Sequence, residues 1–310
     1  MQLNALRYFV MVATTGSFAT TAKHFQVPAS SVSRFISKLE KEIGQQLFYR
    51  NTRSVRLTET GEQYYVQIRE VLNTLDLANE EAAGKGSSVR GVVRINTAVA
   101  LGRLHIAQIV NKLHDIYPEL SIELILTDAF IDPVQEGVDI VIRIGLLQDS
   151  ALIARKVGDQ KNVLCASPEY LKQYGIPESP QDLIKHLCLV YKGFSGAQCW
   201  YFRRQHDEKP IAVQPQGVLK SNNAEVLLTA ALEGRGIVLF PTWIFAHDCF
   251  KNKKLIQLLP EWTGTADPFT LEINLVSPEN RIRSQKVRTV LDFMLKEIGD
   301  PPYWDNILDF

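Results

Sequence analysis

The sequence predicts an α/β chain with an all-α, winged head, a long linker helix and a two-lobed α/β body, and three patterns predict it. In the first 60 residues, apolar positions recur at spacings of three and four in two short segments joined by a tight turn. From Thr58 to about Ala83 an apolar stripe advances by four and three alternately, which is a coiled-coil seam. From Val89 onward short apolar strands alternate with amphipathic helices, implying a mainly parallel sheet covered on both faces.

Ser17 is placed to cap the first head helix, because its hydroxyl can accept a backbone N–H of the first turn. Phe18, Ala22 and Phe25 fall on one side of that helix, and small Ala22 lets a second helix cross closely. Pro28 stands where a helix can begin but not continue. Val32, Ile36, Leu39 and Ile43 give the second helix its apolar stripe. The outer face carries Ser30, Ser33, Arg34, Ser37 and Lys38, with Ser31 beside them, a surface of hydroxyls and cations suited to a DNA major groove. Leu47 to Thr58 reads as a hairpin whose Arg50, Arg53 and Arg56 suit phosphates or the adjacent minor groove. Charge is distributed to match. The whole chain is neutral, yet residues 1–62 hold eight Lys/Arg against four Asp/Glu, so the remainder is acidic by the same four. A basic head on an acidic body is expected when one end alone touches double-stranded DNA.

Taken in order, Leu3-x-x-Leu6-x-x-Phe9, Gly16-Ser17-Phe18, Ala22, Ser30-x-Val32-Ser33-x-x-Ile36, Leu39-Glu40, Leu47-Phe48-x-Arg50, Arg53 and Leu57-Thr58-x-x-Gly61 resemble the LysR-type transcriptional regulators across the whole N-terminal domain. Two positions depart from the commonest pattern: Gln26 stands where Gly or Asn often makes the turn, and Pro28 where Ser often caps the recognition helix. The resemblance implies a winged helix-turn-helix regulator that reads a roughly palindromic site as a homodimer or homotetramer, with RNA polymerase as a further partner. Ser30, Ser33 and Arg34 would then address base edges, with Ser31 and Lys38 nearby, and Arg50, Arg53 and Arg56 would meet the backbone.

In the linker helix the seam is Tyr64, Ile68, Val71, Leu75, Ala78 and Ala82, suited to pairing with the same helix of a second subunit; the alternative is a connector packed against its own body. Gly84 to Ser88 supplies a joint. Strands follow at Val92–Asn96, Ile122–Leu126 and Ile140–Ile144, with a helix from Leu101 to Ile116. A second set holds strands Val163–Ala166, Cys188–Tyr191, Val218–Lys220 and Gly236–Phe240, with helices from Pro168 to Tyr174 and from Ala224 to Glu233. Leu271–Val276 and the helix Ser284–Ile298 return to the first lobe. Echoes of the family continue in Ala166-Ser167-Pro168-x-Tyr170-Leu171, Asp182-Leu183-x-x-His186-x-Cys188-Leu189 and Gly234-x-Gly236-Ile237, which imply a two-lobed body like that of periplasmic binding proteins. The expected division is 1–60 for the winged helix-turn-helix, 61–88 for the linker helix and hinge, 89–300 for the effector domain and 301–310 for a C-terminal tail. Lobe I would hold about 89–162 and 268–300, and lobe II about 163–267.

In such a clamshell a ligand lies at the carboxyl ends of strands, against helix N-termini of both lobes. Thr97-Ala98-Val99 precedes one helix and Asn222-Asn223 the other, a setting that suits a small organic anion such as a carboxylate. Gly145 and Ser167 would form neighbouring walls and Phe240 the rim. Capping and turn-making are the alternative role for each polar residue among them. Arg143 is a conceivable counter-ion or the partner of an acid across the sheet.

Four cysteines and six histidines show no metal spacing, and no nucleophile elbow, P-loop or dinucleotide fingerprint occurs. No enzyme, metal or cofactor is expected. Cys165 reads as a core thiol, with cysteine-based redox-responsive regulation as the rival to metabolite sensing. The N-terminus reads as a helix containing Asn4 and Arg7 rather than a signal peptide. No apolar run approaches the roughly 18 residues of a bilayer span. The expectation is therefore cytoplasmic with no membrane partner, which also disfavours a solute-binding protein.

Overall fold

The computed structural model describes residues 2–51, 54–83, 89–145, 152–192, 199–204, 209–246 and 248–308. They form two compact units, residues 1–88 with the short segments 131–138 and 283–285, and the rest of 89–310.

In the first unit, helix α1 (Leu3–Thr15) ends at Gly16, which turns left-handed at φ 63°. Ser17 then caps α2 (Phe18–His24), its hydroxyl accepting the Thr20 N–H at 3.2 Å. Gln26 makes the turn at φ 53°, a conformation that costs a non-glycine residue about 1–2 kcal/mol. That explains why Gly or Asn is the commoner choice there. Pro28 opens α3 (Ala29–Ile43) with no side-chain cap, and its carbonyl accepts the Ser31 N–H. Strands β1 (Phe48–Asn51) and β2 (Ser54–Leu57) pair antiparallel as the wing. Phe9, Val12, Val32, Ile36 and Leu47 are fully buried at the centre. The Phe9 ring lies 5.3 Å from Phe48 and 5.4 Å from Tyr64, so one aromatic joins α1, the wing and the next helix.

That next helix is α4 (Glu59–Ala83). Its stripe is divided in a way the heptad reading did not anticipate. Ile68 and Leu72 are buried in the head core, with Tyr64 and Tyr65 packed beside them, and Arg7 pairs with Asp76 at 2.6 Å. Tyr64 and Ile68 are therefore used within the chain. Val71 stays 54 % exposed and Ala78 is exposed, while the Ala82 side chain lies outside the described residues.

In the second unit, β3 (Gly91–Thr97), β4 (Leu120–Leu126), β5 (Ile140–Ile144), β6 (Leu152–Asp159) and the late strand Glu272–Pro278 form a five-stranded lobe I sheet. The helical segment after β3 runs as α5 (Val99–Leu101), a π-turn Gly102–Ile106 and α6 (Ala107–Ile116); α7 (Pro133–Glu136), which follows β4 in the chain, is grouped with the first unit. Lobe II holds β7 (Asn162–Ala166), α8 (Pro168–Tyr174), β8 (Cys188–Tyr191), β9 (Trp200–Arg203), β10 (Ile211–Val213), β11 (Gly217–Ser221), α9 (Ala224–Leu232), β12 (Val238–Pro241), β13 (Ile256–Gln257) and β14 (Thr263–Thr265). A parallel bridge between Cys188 and Ile237 joins β11-β8 to β12-β7-β13. The chain then returns through β15 (Glu272–Pro278) to α10 (Glu279–Ile282) and α11 (Gln285–Ile298).

The sheets are more mixed than the alternating pattern implied. β15 runs against both its neighbours, β5 and β6, and β12 runs against β7. Two crossings between lobes impose this, because a returning strand enters from the opposite end. The crossings are tied together where the Gln160 N–H donates to the Leu271 carbonyl at 2.8 Å. The described residues of the C-terminal segment pack inward. Trp304 and Ile307 are 3 % exposed and belong to the core that spans both lobes.

Candidate nucleic-acid interface and effector cleft

On α3 the buried residues Val32, Ile36 and Leu39 fix which side faces the core. Ser30, Arg34, Ser37 and Lys38 are exposed on the other side, with Ser31 and Ser33 half-buried. Their spacing of three, four, seven and eight places Ser30, Ser33, Arg34, Ser37 and Lys38 on one stripe. Exposed Lys41 continues it, a residue the sequence reading counted only as charge. The Arg34 guanidinium stands 5.9 Å over the Phe35 ring, which steadies it without taking its hydrogen-bond donors. Behind the stripe, the Glu40 carboxylate accepts the Leu47 and Phe48 N–H groups at 3.0 and 3.3 Å. The acid in the Leu39-Glu40 motif thus splices the helix to the wing.

Arg56 is exposed on the wing, opposite Tyr49, which is 65 % exposed. Arg53 and the Arg50 side chain lie outside the described residues. The hairpin is held against α4 at its base. Thr58 caps α4, its hydroxyl accepting the Gly61 N–H at 2.9 Å, while its own N–H donates to the Leu47 carbonyl at 3.0 Å.

In the body, Thr97 ends β3 fully buried, and its hydroxyl has no hydrogen-bond partner among the described residues. Ala98 and Val99 follow half-buried. The Val99 N–H donates to the Asp128 carboxylate at 3.0 Å. On lobe II, Asn223 caps α9 by accepting the Glu225 and Val226 N–H groups, and Asn222 is exposed beside it. Both helix starts are therefore capped from within the chain. Gly145 borders open space, and residues 146–150 lie outside the described residues.

Two expected lining residues belong elsewhere. Ser167 is fully buried and caps α8 through the Tyr170 N–H at 3.3 Å. Phe240 is 3 % exposed, since β12 is flanked by β7 and the β8 bridge and turns it into the core rather than toward a rim. Arg143 stands over the Phe130 ring at 4.2 Å.

Two residues that sequence reasoning missed connect the lobes. Arg103, on the π-turn, forms an ion pair with Glu225, in the first turn of α9. Tyr191, at the end of β8, is pushed up by burial, with the charge of Asp128 adding to the shift. No periodicity signals such pairs, because each partner lies on a different lobe.

The family-like motifs of the body turn out to be architectural. Ser179 and Asp182 form a reciprocal capping box, and the Tyr170 hydroxyl meets His186 Nδ1 at 3.1 Å. The four cysteines are free thiols. Burial pushes the Cys165 thiol well up, raises Cys188 to about 12, and raises Cys249. Those three are held as thiols, the form that reacts poorly with oxidants. Among the described residues no group of His, Cys, Asp and Glu could hold a metal, and no helix is long and apolar enough to cross a membrane.

Comparison with known proteins gives two consecutive matches. Residues 3–62 match the family described as bacterial regulatory helix-turn-helix protein, lysR family, and residues 86–299 match the LysR substrate binding domain. The HTH-type transcriptional regulator YhjC of Escherichia coli strain K12 is 32% identical, over 94% of this chain and 96% of that protein. The solved structure of CrgA, a LysR-type transcriptional regulator from Neisseria meningitidis, has a TM-score of 0.61 at 29% identity, covering 96% of this chain and 99% of that one. The full-length virulence activator AphB of Vibrio cholerae gives 0.59 at 28% identity, with the same coverage.

Proposed function

This chain belongs to the LysR family of bacterial helix-turn-helix transcriptional regulators, and from that membership we propose how its own residues read DNA and sense an effector. One observation carries the DNA half: the stripe of exposed Ser30, Arg34, Ser37 and Lys38 with half-buried Ser33 backs onto a side of α3 that is wholly committed to the core. Inserted in a major groove, Ser30, Ser33 and Arg34 address base edges, with Ser31 and Lys38 alongside and Lys41 near the backbone. Arg50, Arg53 and Arg56 on the wing take phosphates or the minor groove. With so small a net charge, one head holds DNA weakly. Val71 and Ala78, left exposed on α4, supply the seam for a second copy, and dimers pair into tetramers. RNA polymerase is the downstream partner.

Footprinting on the DNA upstream of its own gene tests these roles. Arg34→Ala should cost about 1–3 kcal/mol at one position of the site and relax preference there. Arg56→Ala should weaken all sequences alike and lower the salt slope by about one. An unchanged site preference in Arg34→Ala would remove that residue from base reading.

For the effector half, a small organic acid is held where Thr97, Ala98, Val99 and Gly145 on lobe I meet Asn222 and Asn223 on lobe II. Both helix starts are already capped, so the cation for a carboxylate comes from Arg103. An effector that takes Arg103 from Glu225 changes a contact between lobes, and thereby favours one arrangement over another. In a thermal-shift screen of small organic acids, a compound that stabilises the wild type should lose most of its effect in Arg103→Ala. A shift that survives the substitution would sink this assignment.

A further inference from the structure

We propose that the outer face of the β10-β9-β14 sheet is a second small-molecule site, separate from the cleft, and that it takes a carboxylate carried on an aromatic ring. A hollow of about 200 Å³ opens there, lined chiefly by Tyr201, Arg203, Arg204, Thr263, Pro268 and Phe269. Strand register builds it. Thr263 pairs with Arg203 and Thr265 with Tyr201, so those four side chains share one face. Trp200 and Phe202 alternate with them and are about 2 % and 1 % exposed, which fixes the opposite face in the lobe II core.

The lining is cationic and hydroxylic on one side and apolar on the other. Arg203 is exposed and makes no ion pair among the described residues. Arg204 stacks over Trp262 at 4.4 Å and lies 3.8 Å from Glu261. Among the described residues no carboxylate side chain is part of the lining. The Thr265 hydroxyl donates to the Asp267 carbonyl, while Arg203, Tyr201, Thr263 and Thr270 offer side-chain donors to a ligand.

A guanidinium fork matches a carboxylate with two parallel hydrogen bonds, a geometry a point charge does not supply. Phe269, 44 % exposed, and the two prolines Pro210 and Pro268 offer the flat apolar wall against which a ring stacks. The volume lies below the roughly 300 Å³ at which drug-sized pockets begin, so one ring with one acid fills it. The far wall, Pro268 to Thr270, leads directly into β15. An occupant therefore braces one of the two crossings between lobes.

Phenylacetate titrated calorimetrically into the full-length chain tests this, with acetate as the ring-free control. Phenylacetate should bind, acetate much more weakly, and Arg203→Ala should weaken phenylacetate at least about tenfold. Phe269→Ala should erase most of the difference between the two acids. Arg103→Ala, in the cleft, should leave phenylacetate binding as it is, with circular dichroism confirming that each variant is folded. Absence of phenylacetate binding overturns the proposal. So does binding that survives Arg203→Ala, and loss in Arg103→Ala alone would assign the ligand to the cleft instead.

Discussion

Gly61→Ala is expected to cost the head about 3 kcal/mol, the upper end of what overpacking does, and to abolish operator binding at ordinary temperature. A Cβ at residue 61 would stand 2.1 Å from the Leu47 carbonyl oxygen and 3.0 Å from its carbon. That carbonyl has little room to yield. It accepts the Thr58 N–H, and the Leu47 side chain is fully buried. Relief would require the wing to lift off the first turn of α4, breaking the hydrogen bond from the Thr58 N–H to the Leu47 carbonyl. Gly44 supplies the contrast. It is left-handed at φ 76°, yet a Cβ there meets nothing within 4 Å. Gly44→Ala should therefore cost only the backbone penalty of about 1 kcal/mol. Urea unfolding of the two variants measures the difference, and equal midpoints would mean that the wing does not approach α4 as described.

His105→Ala should destabilise the body by about 2–4 kcal/mol. The imidazole lies where lobe I, lobe II and the C-terminal segment meet. Its Nδ1 is 2.6 Å from the Tyr303 hydroxyl, its Nε2 is 2.6 Å from the Trp243 carbonyl, and its ring is 4.8 Å from that of Trp304. Truncation leaves the buried Trp243 carbonyl without its partner and removes the ring that packs on Trp304. The nearby contacts of Thr242 with Asp305 at 2.6 Å and of Lys161 with Asp305 at 3.1 Å remain to hold the segment.

The same residue gives the body a pH dependence of definite sign. Burial lowers the His105 pKa, with the hydrogen bond to the Trp243 carbonyl opposing it in part. The unfolded chain, with a histidine near 6.5, therefore binds more protons than the folded one just below that pH. Stability is full above about 6.5 and falls as pH drops toward the lowered folded value, by at most about 1.4 kcal/mol per pH unit for one proton. His186, also lowered chiefly by burial, adds a slope of the same sign. Unfolding free energies between neutral and mildly acidic pH should show a shallower fall in His105→Ala than in the wild type. Parallel curves would show that His105 is not held neutral.

Much of the head was legible in the chain, because its determinants are local. Ser17 capping and the α3 stripe are each written within a few residues of where they act, whereas the close approach of Gly61 to Leu47 is not. The body was legible in its longer strands and helices. It was not legible in the three short strands β9, β10 and β14, because pieces of three or four residues carry no period, nor in β6, whose partner β15 lies more than a hundred residues along the chain. The seam of α4 was read correctly as apolar, but Tyr64 and Ile68 serve the head first, since α1 offers them a nearer partner. Phe240 failed as a rim residue because a two-residue alternation does not reveal which face of a central strand is the inner one. The cap residues Asn223 and Ser167 illustrate the reverse difficulty: the residue types that greet a ligand are those that finish a helix.

The double crossing between lobes also sets an order in which the molecule can be completed. Among the described residues β6 has β15 as its sole partner strand, and β15 begins at Glu272. As the chain leaves the ribosome, the head has all its parts once α4 has emerged. Lobe II has its strands by Thr265. Lobe I, whose first strand starts at Gly91, waits with its sheet unfinished for about as long as it takes to synthesise everything between. The part that grips DNA is thus ready well before the part that would tell it when.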